Sequence, residues 1–408
     1  MSKKILVITP RFPYPEAGAC EQDRADGLRQ LKRLGYDVKV IGKFFDFQDK
    51  EKIVNLWNEE GVDVIPVEYV MNKISKAGKI KMILNHPYCL DGSALEYTEP
   101  NINNLLIKEL EEFKPDYVWF DYTYLWPLYK HVQKRNIPII TRSINFEARH
   151  FLEEDGRSLL NYLKYIPKYI TEVITAKKSD ILFSITPLEK MIYEKVGAKL
   201  VKNLPLRALA NKIAMHTPRD IEKLNVFFSG STYNVSHNRR ALEFIIKDLA
   251  PKCYKKYGDK FTFRITGSKF PEDLKGYIID NVVYEGFVED MDSFLQNMDI
   301  AVVPSIYGAG MQQKIFEPLT RGFPTITHER GLADYDFVPK EDVLVGVTVD
   351  DFIDNLEKLL SFDLRKRISD NCKIKGKQQF SQNVLDGIIE KSINSQRFSY
   401  VIPRSSQE

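Results

Sequence analysis

The stretch from Asp299 to Gly331 reads DIAVVPSIYGAGMQQKIFEPLTRGFPTITHERG, and it determines the fold assignment. Its first part, Ile300–Pro304, is a short continuous apolar run, typical of a strand that is buried on both faces. A helix is predicted from about Gln313 to Arg321, because Gly322 follows as a stop signal. Phe323–Thr327 is predicted as the next strand. This part of the chain therefore alternates strand, turn, helix and strand.

The turn in this stretch carries residues suited to a phosphate. Gly308 and Gly310 permit backbone conformations that a side chain would hinder. The following helix begins with exposed N–H groups at the positive end of its dipole, which favours an anion. Lys314 adds a full positive charge in the first turn, and Glu317 lies one turn further on the same face, where it can accept hydrogen bonds from sugar hydroxyls. The alternative is an ordinary crossover helix with a surface lysine and glutamate.

The ordered set G-x-G-M-Q-x-K-I-x-E-x-L-x-x-G-x-P-x-I-T resembles the donor-site signature of GT-B glycosyltransferases, particularly the retaining family 4 enzymes ("glycosyl transferases group 1"). The resemblance implies an α/β protein of the GT-B class, with two Rossmann-like doubly wound domains facing an interdomain cleft. It also implies a set of donor-binding residues in this stretch: Gly310, Met311, Gln312, Gln313, Lys314 and Glu317.

Length and composition agree with two domains in one chain. The 408 residues exceed one typical domain, and 43% are hydrophobic, which is enough for large cores. The 59 basic and 56 acidic residues are balanced, so a general nucleic-acid binder is not expected. Four cysteines lie far apart and fit a reducing compartment. With no signal-peptide core and no membrane span, we expect a cytoplasmic protein, either free or peripheral at the inner face of a membrane.

The pattern of elements predicts the domain limits. Residues 1–205 are expected to form an acceptor-side Rossmann-like domain, and residues 224–385 the donor-binding domain. Residues 206–223 lack periodicity and are predicted to be the linker. The segment 386–408 is expected to cross back to the first domain, as GT-B chains often do.

The first domain resembles the family less closely than the second. Its opening strand, Ile5–Thr9, leads into a loop similar to the family's P-x-x-G-G loop, which places Gly18 and Arg24 on the acceptor side of the cleft. The alternative is a plain turn with a solvated arginine. Later, Arg142 and Glu147 match the ends of an R-S-H-N-x-E segment, which implies acceptor-side roles for both.

Two polar positions of the donor-sugar site depart from the family pattern. Asn145 matches that R-S-H-N-x-E segment and is implied as a catalytic residue with Lys314 and Glu317, but Ile144 stands where the family usually has a histidine. The earlier glutamate of the family's E-x7-E motif is also missing, since Ala309 or Tyr307 occupies its position.

The second domain is expected to bring further groups to the donor. Gly230 and Ser231, after a predicted strand, resemble the F-x-G-S segment and can present backbone and hydroxyl groups to phosphates. Arg239 is implied as a substitute for the family's basic residue in the following loop. Phe287 lies where the family's loop contacts the nucleotide base, and core packing is the alternative for its ring.

A basic segment in the first domain suggests a weak peripheral membrane contact. Val70, Ile74, Ala77, Ile80 and Leu84 fall near helical spacing between lysines, a pattern that can rest on an anionic membrane. A solvated basic face over the core is the alternative. Further on, a long helical tract is predicted to reach about Lys178, with an interruption at Pro167.

Two functions from different classes remain open. The first is a nucleotide-sugar-dependent hexosyl- or related glycosyltransferase, acting on a glycan, lipid-linked or protein acceptor, with retention of configuration. The second is a GT-B pseudoenzyme that keeps nucleotide or glycan binding, or a scaffold role. No cofactor is expected besides the nucleotide-sugar co-substrate, and no metal, because the six histidines show no ligand spacing.

Overall fold

The chain divides into two compact units in a computed structural model that describes residues 2–16, 18–305 and 310–396. The first unit comprises Met1–Arg207 and Leu385–Glu408, and the second comprises Ala208–Val384. Of the described helices, none has both the length and the apolar character needed to cross a bilayer.

The first unit is built on a seven-stranded parallel sheet with the order β3-β2-β1-β4-β5-β6-β7. Its strands are β1 Lys4–Thr9, β2 Asp37–Phe44, β3 Asp63–Glu68, β4 Tyr117–Phe120, β5 Ile139–Arg142, β6 Ile181–Ser184 and β7 Val201–Asn203. The central strands are buried along their whole length, which explains their continuous apolar runs.

Up to Arg207, the described residues of the first unit contain nine α-helices. They are α1 Ala19–Arg33, α2 Lys50–Glu59, α3 Lys76–Asn85, α4 Gly92–Leu95, α5 Pro100–Glu112, α6 Tyr129–Gln133, α7 Glu147–Asp155, α8 Leu159–Lys178 and α9 Pro187–Lys195. One large cluster of buried side chains includes residues of β1, β4 and α5, such as Leu6, Val118 and Leu106.

The second unit repeats the same plan with six parallel strands in the order β10-β9-β8-β11-β12-β13. They are β8 Leu224–Thr232, β9 Phe261–Ser268, β10 Val282–Gly286, β11 Ile300–Val303, β12 Thr325–Thr327 and β13 Leu344–Val345. In both units the first strand lies in the middle, the next two extend to one side, and the later ones extend to the other. This is the doubly wound order of dinucleotide-binding folds. The predicted fold class, two Rossmann-like domains, is confirmed.

The helices of the second unit cover its sheet and lead back into the first unit. They are α10 Ser236–Glu243, α11 Ala250–Tyr257, α12 Met291–Leu295, α13 Gln313–Arg321, α14 Val349–Lys358, α15 Phe362–Phe380 and α16 Gln382–Gln396. From Leu385 onward α16 belongs to the first unit. There Asp386 accepts a hydrogen bond of 2.8 Å from Gln30 and pairs with Arg33 of α1 at 3.2 Å.

The predicted interruption at Pro167 is wrong. The helical tract breaks at Gly156, between α7 and α8, where φ is 87°. Helix α8 then continues through Pro167 to Lys178. A proline inside a helix costs one backbone hydrogen bond and about 3 kcal/mol, which the twenty-residue helix tolerates here.

Candidate functional site: the strand ends around Lys314 in the second unit

The strand order of the second unit defines where a ligand should bind. In open α/β sheets, ligands occupy the crevice outside the carboxyl ends of the strands, where the strand order reverses. In this unit the reversal lies between β8 and β11. Gly230 and Ser231 lie near the end of β8, and the residues after Val303 lead from β11 into α13. The structure therefore brings the two predicted donor segments to one edge of the sheet.

Lys314 is held at this edge by a buried asparagine. Its Nζ donates a hydrogen bond of 2.9 Å to Oδ1 of Asn238, which lies on α10. The Asn238 amide in turn donates to Oγ of Ser231 at 3.2 Å and to the carbonyl of Thr232 at 3.1 Å. Nζ also lies 5.9 Å from the centre of the Phe228 ring. A positive charge is thus fixed at the carboxyl end of β8, next to the N-terminus of α13.

The loop between β11 and α13 is described only at its two ends. Gly308, predicted to form the turn, lies outside the described residues, as do Ala309 and Tyr307. Gly310 has a φ of 71°, which favours glycine. Oγ of Ser305 donates to the Gln312 side chain at 2.7 Å, which ties the end of β11 to the residue before the helix.

Met311 and Gln312 lead directly into α13. Met311 is buried, and Gln312 is the last residue before the helix. Gln313 opens the helix, as the sequence predicts. The positive end of the α13 dipole therefore lies one residue from Lys314.

Glu317 lies in a network of charges along α13. Its Oε2 accepts a hydrogen bond of 3.0 Å from the Gln313 side chain, and its Oε1 accepts one of 3.0 Å from Nε of Arg321. The buried guanidinium of Arg321 also pairs with Asp292. The Glu317 side chain keeps 20% exposure, so part of the carboxylate can reach a ligand. Its role toward sugar hydroxyls stays a prediction.

Gly230 has a packing role in addition to its predicted phosphate role. A Cβ at Gly230 would lie 2.8 Å from the ring of Tyr233. That ring is buried, and its hydroxyl donates to the carbonyl of Thr266 at 2.7 Å. Glycine is therefore required for the close approach of the turn to Tyr233, while Ser231 is exposed and available to a ligand.

Arg239 and Phe287 are both at the surface of this unit. Arg239 pairs with Asp273 at 2.6 Å and with Glu243 at 3.3 Å, beside an open depression of about 440 Å³. The ring of Phe287 is 74% exposed, so the core-packing alternative is wrong. An exposed ring directly after β10 is available for stacking.

In the first unit, Arg142 is an internal residue. Its guanidinium has no exposed surface and donates to the carbonyls of Leu204 and Pro205 and to Asp23. Burial raises the pKa of Asp23, but the guanidinium groups of Arg142 and Arg207 outweigh this effect and hold that pKa well below its usual range. This placement does not favour the acceptor-side role that the resemblance implies for Arg142.

A buried carboxyl network supports the segment that follows β5. Glu189 accepts a hydrogen bond of 2.9 Å from the backbone of Phe146, and Glu172 accepts one of 3.0 Å from the backbone of Glu147. Glu172 also accepts from the Tyr193 hydroxyl at 2.7 Å. Burial raises the pKa of Glu172 to about 8 and that of Glu189 to about 7.

The residues carried by this segment point in different directions. Ile144 is buried and Asn145 is half-buried. The backbone carbonyl of Asn145 accepts a hydrogen bond of 2.9 Å from the Ser143 hydroxyl. The carboxylate of Glu147 accepts from the Tyr122 hydroxyl at 2.7 Å. Asn145 and Glu147 therefore remain the ligand-accessible members of the matched set.

Part of the second unit is similar to a known protein family. The profile of the family described as "Glycosyl transferases group 1" matches residues 223–361, which span the sheet edge around Lys314. The second unit therefore contains the part of the chain that is similar to this family. No curated protein sequence matches the chain.

Solved structures show that the whole chain has the GT-B fold. Anabaena Alr3699/HepE, solved in complex with UDP, has a TM-score of 0.67 and 14% identity, over 96% of this chain and 100% of that one. TarM has a TM-score of 0.67 and 13% identity, over 97% of this chain and 98% of that one. Sucrose-phosphate synthase from Thermosynechococcus elongatus has a TM-score of 0.67 and 12% identity, over 97% of this chain and 99% of that one.

The second unit also uses residues that the sequence pattern did not single out. Asn238 as the partner of Lys314, and Tyr233 as the ring packed on Gly230, carried no motif that predicted their contacts. Arg321 stands four residues after Glu317, so helical spacing alone indicates that pair.

The predicted cleft residues near α1 are Gly18 and Arg24. Gly18 is the residue before α1. Arg24 is buried, 3.8 Å from the Glu21 carboxylate and 5.8 Å from the Tyr122 ring centre. The solvated-arginine alternative is therefore wrong, and a role for Arg24 toward the acceptor stays a prediction.

Proposed function

We propose that this protein transfers a sugar from a UDP-sugar to a glycan, lipid-linked or protein acceptor, with retention of anomeric configuration. The observation that carries the proposal is the position of Lys314, fixed by Asn238 beside the N-terminus of α13 at the strand-order reversal. A uridine nucleotide is favoured because HepE and TarM have been solved with UDP.

The proposed chemistry places charge where the reaction needs it. As the glycosidic bond breaks, the leaving diphosphate gains negative charge, and a fixed cation lowers the barrier by stabilising that charge. Lys314 and the α13 dipole are the two positive groups at this edge. Glu317 and Asn145 are proposed to bind sugar hydroxyls. Attack from the face that the diphosphate leaves would retain configuration without the paired carboxylates of glycosidases.

This mechanism requires no metal ion. Lys314 and the helix N-terminus supply the positive charge that a divalent cation supplies in other transferases. We therefore expect donor binding and transfer to be unchanged by EDTA.

A second candidate function is donor binding without transfer. It is favoured by Ile144, a buried aliphatic side chain at the position where the family usually has a histidine. An isoleucine cannot exchange hydrogen bonds with the donor sugar.

Thermal unfolding with a panel of nucleoside diphosphates and nucleotide sugars tests the donor site. Ligand at about 100 times its dissociation constant should stabilise the protein by about 2.7 kcal/mol. The stabilisation should be lost in Lys314→Ala and kept in Lys366→Ala, which removes an exposed lysine of α15. No stabilisation by any nucleotide would contradict the proposal. Measuring UDP released from a UDP-sugar in the presence of acceptor then distinguishes the two candidate functions, because a protein that only binds the donor releases no UDP.

A further inference from the structure

Two helices of the first unit expose apolar side chains instead of burying them. Helix α3 has no buried residue, and its Ile80, Ile83 and Leu84 are all exposed. In α8 the first buried residue is Thr171, although the helix begins at Leu159. More than half of the large apolar side chains that the described residues expose lie within 80–90 and 159–170. Exposed apolar side chains that cluster in this way indicate an interaction surface.

The two exposed segments are joined in space by the loop that follows α3. Nζ of Lys168 in α8 lies 3.7 Å from Oδ1 of Asp91 in this loop. The ring of Tyr88 is 6.1 Å from that of Trp126, whose indole donates to Thr171 of α8 at 3.3 Å. The exposed residues of α3, this loop and the first half of α8 therefore form one neighbourhood, named here the α3–α8 surface.

The two segments that carry the exposed apolar side chains bear only positive charges, and Asp91 of the connecting loop is buried 3.7 Å from Nζ of Lys168. Residues 69–90 contain four lysines and no acidic residue, and residues 159–170 contain two lysines and no acidic residue. The acid closest in sequence to the start of α8 is the exposed Asp155 at the end of α7, and before it Glu153 and Glu154 lie beside Arg149 and His150 of their own helix. Apolar side chains interleaved with lysines match the boundary between acyl chains and anionic headgroups.

We propose that the α3–α8 surface binds an anionic lipid bilayer and holds the protein at the membrane. The exposed leucines and isoleucines enter the headgroup boundary, and the lysines contact the anionic headgroups. The α3–α8 surface belongs to the first unit, whereas the proposed donor site around Lys314 belongs to the second. Membrane binding can therefore be tested independently of the proposed transfer.

Co-sedimentation of the full chain with vesicles tests the proposal. We expect binding to vesicles of phosphatidylcholine with 30% phosphatidylglycerol, and much weaker binding to pure phosphatidylcholine, at about 0.1 M salt. The triple variant Lys76→Gln, Lys79→Gln, Lys81→Gln should lower the partition coefficient at least about tenfold. Its control, Lys252→Gln, Lys255→Gln, Lys256→Gln in the second unit, removes the same charge and should bind like wild type.

A second pair of variants tests the apolar contribution. Leu84→Ser with Leu159→Ser should weaken binding to the anionic vesicles, because these side chains are 73% and 80% exposed and free to insert. The control is Val347→Ser with Ile374→Ser, which are 65% and 56% exposed in the second unit. All four substitutions are at the surface, so the thermal midpoints should stay close to that of wild type.

Results of two kinds would overturn the proposal. One is equal binding of both triple variants, or no binding of wild type to anionic vesicles. The other is a doubled mass at sedimentation equilibrium that Leu84→Ser with Leu159→Ser returns to a monomer and the control does not. That outcome would assign the α3–α8 surface to a second copy of this chain.

Discussion

Replacing Asn238 by leucine tests how Lys314 is positioned. The buried amide makes three hydrogen bonds, to Lys314 Nζ, Ser231 Oγ and the Thr232 carbonyl. A hydrogen bond to a charged group contributes about 1.5–3 kcal/mol and each of the two neutral ones about 1 kcal/mol, so the second unit should lose about 3.5–5 kcal/mol of stability. Without the Asn238 hydrogen bond, the Lys314 side chain loses a contact that orients it, and ordering it on ligand binding then costs about 1–2 kcal/mol. UDP should therefore bind about 5- to 30-fold more weakly.

The matched control is Asn281→Leu. Asn281 is also buried in the second unit, and its amide donates to the carbonyl of Ala250 at 3.1 Å. It directly precedes β10, so it lies at the amino end of a strand, whereas Asn238 lies near the carboxyl end of β8. Denaturant unfolding should show a loss of stability in both variants, and calorimetric titration with UDP should show weaker binding only in Asn238→Leu. If Asn238→Leu binds UDP within twofold of wild type while folded, the reasoning about Lys314 is refuted.

Two further predictions concern the first unit. Because burial raises the pKa of Glu172 to about 8, its protonated form stabilises the fold, in full below the unfolded-state pKa and less as the pH rises toward 8. Glu172→Gln should remove a slope of about 1.4 kcal/mol per pH unit between about pH 5 and 8 from the unfolding free energy, and an unchanged slope would contradict the assignment. Arg142→Met should cost about 3–5 kcal/mol, because it removes one of the two arginines paired with the buried Asp23 and leaves the carbonyls of Leu204 and Pro205 without their donor, while UDP affinity stays unchanged. A stable Arg142→Met protein with a raised KM for its acceptor would instead support the acceptor-side role.

Local patterns predicted the elements around the site well. The bounds of α13, Gln313–Arg321, were predicted because an apolar strand precedes the helix and Gly322 follows it. The doubly wound fold class followed from the alternation of strands and helices, a pattern typical of parallel sheets covered by helices.

The contacts that fix the site could not be read from the sequence. Lys314 and Asn238 are 76 positions apart, and no periodicity reports a pairing at that distance. Arg142 looked like a cleft residue because its position matched a motif, but the carbonyls of Leu204 and Pro205 and the buried Asp23 surround it.

The exposed face of α8 was missed for a related reason. Its apolar residues recur at helical spacing, and such a pattern ordinarily indicates a buried face. Pro167 was expected to break the helix, whereas the break is at Gly156.

A crystal structure of the protein with UDP would test the central claim most directly. We predict that the diphosphate lies at the N-terminus of α13, with a phosphate oxygen within hydrogen-bonding distance of Lys314 Nζ. A diphosphate bound instead in the depression beside Arg239 and Lys269, with no phosphate oxygen near Lys314 Nζ, would contradict the proposed site.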